Sequence, residues 1–378
     1  HRGNHPATNG YGLRHCKSFI YGINLISFTT RPPLYLLPTM TRPTLLLGMI
    51  NDAGIAKIVA ENLRFHGFEV IDFSLDSLTF RYPGIGARLA VQWRKLLGNS
   101  AAKRELMVEL KRRELRETLA QHPHFDYALF IRADVYPEKF LKEIKAKSNV
   151  MVNYQWDGIS RFAAAPSQIS LFDRYYAFDP ADLNRYPGTL PATSFYFDHL
   201  PPLNHASADG SIYFVGAHRD DRTDAIVRFC RHAQNSGWPL NFQIAREGHT
   251  QVEQHYPVNN IHFHNGISYR AHLDHARSAG VLADFVISTH GGLSLRTFEA
   301  VGYRKKLITT NAAVKEYDFY HPDNFFVWDG QSFKGIDEFL ATPYHDTGNA
   351  LRQKYSFGNW IRYLLQTEPY QALTFPES

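Results

Sequence analysis

Short apolar runs alternate with longer amphipathic segments from residue 44 onward. In the first half, the apolar runs occupy residues 44–50, 69–73, 126–131 and 150–154. Continuous apolar runs of this length are typical of parallel strands that are buried on both faces. Helical periodicity over residues 53–66 and 88–120 separates them, so the pattern predicts a doubly wound α/β domain.

The same alternation begins again after Pro201 and Pro202, which mark the expected domain boundary. Apolar runs at 212–215, 281–287 and 307–310 accompany a helical pattern over residues 221–235. We therefore expect an α/β chain with two Rossmann-like α/β/α domains that face a central crevice. Their ranges are 40–202 and 203–347, followed by a C-terminal segment over residues 348–378.

A loop of four residues lies between two of these apolar runs and leads into a predicted helix. It is formed by Gly291, Gly292, Leu293 and Ser294. Two glycines let the backbone approach a ligand closely, and the free N–H groups of a first helical turn attract anions such as a diphosphate. The loop is therefore predicted to bind phosphate.

Two charged residues follow on this helix. Arg296 places a positive charge near the loop, and Glu299 lies three residues further along on the same helix face. A carboxylate in that position can accept hydrogen bonds from sugar or ribose hydroxyls. The alternative is a surface ion pair between the two side chains, which has no function.

This stretch resembles the donor site of CgeB-like glycosyltransferases of the GT-B type. The matching motifs occupy residues 293–302, 305–311, 213–216 with Arg222, 154–157 and 178–180. Together they cover most of the chain after residue 40, and their order and spacing are the specific part of the resemblance. Many such proteins take part in the synthesis of bacterial surface polysaccharides, including lipopolysaccharide and capsule.

The resemblance implies a nucleotide-sugar donor that sits on the second domain. The donor diphosphate would rest on the start of the helix after Gly291, on the turn at Gly216 and on Arg222. Arg296 would stabilise the leaving charge, and Glu299 would hold donor hydroxyls. The acceptor would be a glycan or a lipid-linked sugar, and the C-terminal helix, near residues 350–365, would cross back to the first domain.

Two further residues are candidates for catalysis. Asp157 follows the apolar run at 150–154 and could accept the proton of the acceptor hydroxyl as a general base. The alternative is that its carboxylate only caps the turn at Gly158. His290 precedes the loop glycines and could bind phosphate or a sugar hydroxyl, or could simply be a turn residue. Lesser carboxylate candidates are Asp134, Asp179 and Asp318.

One position departs from the family pattern. Retaining relatives carry a second glutamate eight residues before the one that corresponds to Glu299, and this chain has Gly291 there. Retaining and inverting transfer therefore both stay open. Two other functions also stay open, a nucleotide-sugar epimerase of GT-B architecture and a protein that binds sugar nucleotides without catalysis.

Most of the net positive charge of the chain comes from its first 39 residues. The whole chain has 41 Lys and Arg against 36 Asp and Glu, and residues 1–39 contain four basic residues and no acidic residue. Without that segment the formal charge falls from +5 to about +1, which does not favour nucleic acid binding. Met40 is the expected start, with residues 1–39 as a non-native or disordered leader; a targeting segment is the alternative.

Cysteine content and the absence of cofactor motifs narrow the chemistry further. Only Cys16 and Cys230 are present, which indicates a reducing, cytoplasmic location, and Cys230 is expected to be an inert core thiol. The three-glycine dinucleotide motif is absent, so no nicotinamide or flavin cofactor is expected. No Asp-x-Asp triplet occurs either, and the histidine pairs lack a nearby ligand at a familiar spacing, so no metal is expected.

The helical region over residues 88–120 is rich in basic residues. It could lie on anionic lipid, as peripheral contact with the inner face of the membrane. The alternative, which we favour, is that Leu106, Leu110 and Leu115 bury one face against the domain while the charges remain in solvent.

Overall fold

The computed structural model describes residues 42–76, 80–203, 210–246, 248, 251–287 and 291–376. The predicted leader and His290 lie outside these ranges. Two six-stranded parallel sheets form the frame of the described chain. In the part described, every helix is too short or too polar to cross a bilayer.

The first sheet has the strand order β2-β1-β3-β4-β5-β6, and every neighbouring pair is parallel. Its strands are β1 (Thr44–Met49), β2 (Glu69–Asp72), β3 (Phe125–Ile131), β4 (Ser148–Gln155), β5 (Arg174–Ala177) and β6 (Thr189–Pro191). The four runs expected from the sequence became β1 to β4. The short strands β5 and β6 were not expected from the apolar pattern.

The second sheet is also parallel, in the order β12-β11-β10-β7-β8-β9. Its strands are β7 (Ile212–Ala217), β8 (Leu240–Ala245), β9 (Ile261–His264), β10 (Val281–Asp284), β11 (Lys306–Thr309) and β12 (Phe325–Val327). This architecture confirms the expected fold class, two Rossmann-like α/β units.

Helices connect the strands of both sheets. In the first half they are α1 (Ile55–Phe65), α2 (Ile85–Leu96), α3 (Ala102–Glu114), α4 (Arg116–Gln121), α5 (Glu138–Ala146), α6 (Ala165–Gln168) and α7 (Pro180–Arg185). In the second half they are α8 (Asp220–Ser236), α9 (Tyr269–Ser278), α10 (Leu295–Tyr303), α11 (Ile336–Ala341), α12 (Asn349–Lys354) and α13 (Phe357–Leu365). Short 3₁₀ helices span Ala133–Val135, Ile159–Arg161, Ile169–Leu171, Val252–His255 and Ala312–Glu316.

Two of the expected helices are divided in the structure. The region predicted over residues 88–120 consists of α2, α3 and α4. Gly98 ends α2 because it adopts a left-handed conformation, with φ of 92°, which a regular helix does not accommodate. The C-terminal region likewise consists of α12 and α13, since Ser356 caps the N-terminus of α13 through a hydrogen bond from the Asn359 N–H, 3.1 Å long.

The apolar core is continuous between the two halves. One cluster contains Leu45 and Val152 of the first sheet, Tyr213 and Leu282 of the second, and Trp360 of α13. Two further clusters each cover the other face of one sheet. The third of these clusters contains Cys230, and burial raises the pKa of its thiol to about 12, which fits an inert core residue.

The last helix packs on the first sheet, as expected. The Arg174 guanidinium, at the start of β5, donates hydrogen bonds of 3.0 Å to the carbonyls of Leu364 and Leu365 at the end of α13. The last carbonyls of a helix have no partner inside the helix. Arg174 therefore satisfies two of them and fixes α13 against the sheet.

Asp198 connects the first and last helices to the segment between the two sheets. Its carboxylate is 12% exposed, accepts a 2.8 Å hydrogen bond from Asn62 and lies 2.8 Å from His66 Nε2. The Gly358 N–H donates to its other oxygen at 3.1 Å. Burial acts to raise the pKa of Asp198, but His66, Asn62 and the Gly358 N–H outweigh it and hold that pKa below its usual value.

We expect Asp198→Asn to lower the free energy of unfolding by about 2 kcal/mol at pH 7, because charged hydrogen bonds in a buried site are lost. A carboxyl group whose folded-state pKa is lowered stabilises the protein above its unfolded pKa, about 3.9, and loses this effect as pH falls through the folded-state pKa. Urea unfolding at several pH values would measure the difference, which should shrink in acid. Asp274→Asn removes an exposed ion pair with Arg277 and serves as the control. An equal loss in both variants would contradict the expectation.

Candidate functional site

The order of the strands in the second sheet reverses between the neighbouring strands β7 and β10. The chain proceeds outward in one direction from β7 to β8 and β9, and in the other direction from β10 to β11 and β12. Ligands of open parallel sheets bind at the carboxyl ends of the strands where the order reverses in this way. Both predicted donor segments, the turn after β7 and the loop after β10, follow these two strands.

Arg222 lies across this reversal point. Its guanidinium donates to the carbonyl of Ala217, the last residue of β7, and at 3.4 Å to the carbonyl of Phe285, just after β10. Gly216 makes room for it, because a Cβ atom at that position would lie 2.5 Å from Arg222 Nη2. Burial lowers the pKa of Arg222, and its Nε has no hydrogen-bond partner among the described residues.

Arg296, on α10, also contacts both β7 and β10. Its guanidinium, 12% exposed, donates to the carbonyls of Ala283 in β10 and Val215 in β7, both at 3.2 Å. Its Nε lies 3.7 Å from Glu299 Oε2 and has no hydrogen-bond partner in the described chain. Glu299 is buried and Arg296 is half-buried, so the two side chains form the ion pair inside the protein and not at its surface. Two guanidinium groups thus meet at the carboxyl ends of β7 and β10.

Glu299 is buried beside Arg296, with 1% of its side chain exposed. The Tyr269 hydroxyl donates to Oε1 at 3.0 Å, and His272 Nε2 lies 3.1 Å from both oxygens. Burial acts to raise the pKa of Glu299, but His272, Arg296 and Tyr269 outweigh it, so the pKa is lowered and the group is ionised. Its proposed contact with donor hydroxyls stays a prediction.

The glycine loop packs against the first half of the chain. A Cβ atom on Gly292 would lie 2.5 Å from the Phe178 ring and 2.7 Å from its carbonyl oxygen. The Gly291 N–H donates to Asp179 Oδ2 at 3.0 Å, so a carboxylate occupies one of the backbone donors predicted to bind an anion. Asp179, which the sequence indicated only as a lesser carboxylate candidate, therefore contacts the glycine loop directly.

The start of α10 follows directly from this loop. Leu293 is buried, and the Ser294 hydroxyl donates to Asp284 Oδ2 at 2.8 Å instead of capping the helix. Ser294 thereby ties the N-terminus of α10 to the end of β10. The first turn of α10 therefore starts at the same edge of the sheet as Arg222.

The structure describes Asp157, one of the two catalytic candidates, but not the other, His290. Asp157 lies two residues after β4; its carboxylate pairs with Arg161 and accepts the Gly158 N–H at 3.1 Å. These contacts are those of the turn-capping alternative, and the role as a base stays a prediction. His290 lies outside the described residues, so its position near the loop also stays a prediction.

Two histidine clusters were not expected from the sequence. His218, Asp220 and His255 bring ligand atoms within 4.8 Å of one another, and so do His321, Asp323 and His345. His218 follows β7 directly, and its Nδ1 lies 3.0 Å from the Tyr256 hydroxyl. Sequence spacing did not reveal either cluster, because each joins residues from separate loops.

No protein-family model and no curated protein sequence matches this chain. Solved structures do match. An α-glucosyltransferase in complex with UDP and a 13-mer DNA containing an HMU base is 9% identical, with a TM-score of 0.50 over 79% of this chain and 90% of that chain. S. aureus MnaA with UDP is 11% identical, with a TM-score of 0.47 over 88% of this chain and 100% of that one.

A third match, E. coli heptosyltransferase WaaC with ADP, is 11% identical, with a TM-score of 0.38 over 79% of this chain and 98% of that chain. Because the sequence identity is low, the structural similarity to the glucosyltransferase establishes the fold alone. The chain has the GT-B architecture, with two parallel six-stranded sheets, interleaved helices and a last helix that returns to the first sheet.

Proposed function

We propose that this protein is a metal-independent glycosyltransferase that moves a sugar from a nucleotide-sugar donor to a glycan or lipid-linked acceptor. Within the GT-B fold, we assign it to the CgeB-like group and to bacterial surface polysaccharide synthesis, on the cytoplasmic side. Residues 40–202 would form the acceptor-side domain and residues 203–347 the donor domain, with residues 348–378 packed back on the first. The observation that carries the proposal is the pair of half-buried arginines at the β7–β10 reversal point.

A donor diphosphate fits the charge of this site. Arg222 and Arg296 make their hydrogen bonds to backbone carbonyls, and each has an Nε without a hydrogen-bond partner in the described chain. Charge-assisted hydrogen bonds from guanidinium to phosphate are stronger than those to neutral carbonyls. A diphosphate that reached the two groups would supply the oxygens they lack, with Gly216, Gly291 and the start of α10 beside it. The Asp179 carboxylate, which now accepts the Gly291 N–H, would have to release it.

Arg296 would act on the leaving group. As the bond from the sugar to the nucleotide breaks, negative charge develops on the diphosphate, and a fixed cation in a buried site stabilises that charge without reorganising. Glu299 keeps the guanidinium in place from below. In our proposal, a donor hydroxyl would share Glu299 Oε1 with the Tyr269 hydroxyl.

Asp157 is the proposed base on the acceptor side. It would take the proton of the acceptor hydroxyl if the transfer inverts configuration. Arg161 would have to move aside, since it now occupies the carboxylate.

We expect Arg222→Ala and Arg296→Ala to lower release of nucleoside diphosphate from a sugar nucleotide by about 10²–10³-fold, the usual effect of removing a group that stabilises developing charge. A panel of UDP-, GDP- and dTDP-sugars would identify the donor. Arg228→Ala is the matched control, because Arg228 lies on α8 as Arg222 does but donates to the Gly330 carbonyl. Melting curves without donor would show that each variant is folded.

The other outcomes separate the remaining functions. An epimerised sugar nucleotide without diphosphate release would identify an epimerase. Donor-induced melting shifts without either reaction, over a range of glycan acceptors, would identify a binding protein. If no donor shifts the melting temperature, the assignment of the donor site is wrong.

A further inference from the structure

The exposed apolar side chains of this protein are concentrated on one helix. In the described part of the chain, eight large apolar side chains are exposed, and five of them lie on α2 and its C-cap residue. The five are Ile85 (80% exposed), Leu89 (52%), Trp93 (65%), Leu96 (80%) and Leu97 (82%). Scattered apolar side chains need no explanation, but a cluster of this kind indicates an interaction surface.

These side chains form one stripe that faces away from the protein. They recur at intervals of three, four and one residues, which places them on one side of a helix with 3.6 residues per turn. Val91 is the one buried residue of α2, all of which the structure describes. Leu89 and Val91 are two residues apart and therefore point in nearly opposite directions, so the stripe lies opposite the face that holds α2 to the domain.

The charged residues of α2 itself are all basic. No acidic residue occurs between Asp76 and Glu105, a stretch that contains Arg81, Arg88, Arg94, Lys95, Lys103 and Arg104. Arg94 pairs with Glu105 of α3. Arg88 and Lys95, seven residues apart, lie along one flank of the stripe, between it and the buried face. Both are exposed.

We propose that α2 docks on an anionic lipid bilayer, with Leu89, Trp93 and Leu96 inserted at the interface and Arg88 and Lys95 at the level of the headgroups. An apolar stripe with a tryptophan and a basic flank suits such a surface. Long basic side chains can keep their charges in water while their stems cover apolar surface. The inference goes beyond the sugar-transfer proposal and needs no donor.

A second copy of this chain suits the stripe less well than lipid does. A two-fold dimer places the same surface patch of each subunit against the other. Two copies of Arg88 and Lys95 would then meet across an apolar contact without acidic partners from α2. An anionic surface instead supplies the opposite charge along the whole flank, which decides in favour of lipid.

Co-sedimentation of the full chain with vesicles tests this surface. We expect binding to mixed phosphatidylcholine and phosphatidylglycerol vesicles, much weaker binding to phosphatidylcholine alone, and a decrease with added salt. Leu96→Asp should lower the partition coefficient about tenfold or more, because it places a charge in the apolar stripe. Leu203→Asp makes the same change at an exposed leucine away from α2 and should bind as the unaltered protein does. Arg88→Glu combined with Lys95→Glu should remove the preference for phosphatidylglycerol.

Several results would overturn the inference. These are failure to bind either vesicle, equal binding to both, or binding that Leu96→Asp leaves unchanged. A dimer that Leu96→Asp dissociates, in a protein that does not bind vesicles, would instead assign the stripe to a second copy. Vesicle binding by a protein that transfers no sugar would support this inference while removing the proposed function.

Discussion

Glu299→Ala is expected to lower the free energy of unfolding by about 3 to 5 kcal/mol, the largest effect that we predict for a single substitution. The carboxylate is 1% exposed and lies within 3.1 Å of the Tyr269 hydroxyl and His272 Nε2. Its removal would leave the half-buried Arg296 charge without this carboxylate, with hydrogen bonds only to the carbonyls of Ala283 and Val215. Breaking one side of a buried ion pair is costly for this reason, whatever the net value of the intact pair.

Urea unfolding of the purified variants would measure this loss, and Glu299→Gln is the matched control. Glutamine keeps the volume and an acceptor for Tyr269 but removes the charge, so its loss should be smaller. The pKa of Glu299 is lowered in the folded protein. Its ionised form therefore stabilises the fold above the unfolded pKa of about 4.3, and this contribution disappears as pH falls through the folded-state pKa. A Glu299→Ala protein as stable as the unaltered one at pH 7 would contradict the buried cluster.

Gly302→Ala is expected to cost about 2 to 3 kcal/mol, although alanine is the better helix former. In an exposed helix this exchange would stabilise by up to about 1 kcal/mol. Gly302, however, lies in α10 under the Tyr196 ring, and an added Cβ atom would overlap three of its ring carbons. Tyr196 is only 5% exposed. Overpacking in a site without free space costs more than the helix preference returns.

The ring cannot simply withdraw, because its backbone is held on both sides. The Tyr196 N–H donates to the Tyr355 carbonyl at 3.1 Å, and its own carbonyl accepts the Phe357 N–H at 2.9 Å. Gly86→Ala is the matched control, since Gly86 lies in α2 and a Cβ atom there would meet nothing within 4 Å. Urea unfolding should show a loss for Gly302→Ala and a small gain for Gly86→Ala. A gain in both variants would show that Tyr196 does not pack on α10.

Glu299→Ala and Gly302→Ala are also expected to affect the proposed sugar transfer. Gly302 and Glu299 both lie on α10, whose first turn forms one side of the proposed donor site. A change that displaces α10 would move Arg296 as well, and small displacements of a charged group lower a rate strongly. Activity of each variant should therefore be compared per folded molecule.

Much of the fold was predictable because its signals are local. The apolar runs that became β1 to β4, β7, β10 and β11 are continuous in sequence, and strands buried on both faces produce such runs. The strands missed, among them β6 and β12, have only three residues each. A three-residue strand carries too little pattern to be distinguished from a loop.

The sequence singled out several residues that the structure brings together at the candidate site, but not their surroundings. The loop at Gly291 and the arginines at 222 and 296 stood out from the sequence. Tyr269 and His272, which enclose Glu299, did not, because they lie about thirty residues away on α9 and only the packing of α9 against α10 brings them together. The contact between Asp179 and Gly291 joins residues 112 positions apart and has no local signature.

The sequence by itself determined seven of the strands, β1 to β4, β7, β10 and β11, and it placed a glycine loop, Arg222 and Arg296 after strands of the second half. Those properties depend on periodicity and on neighbours within a few residues. Only the tertiary structure decided that β7 and β10 are adjacent, that Glu299 is buried, and that the apolar side of α2 faces outward. Each of these depends on which distant segments pack together, because burial and strand order are properties of the whole chain and not of any short stretch of it.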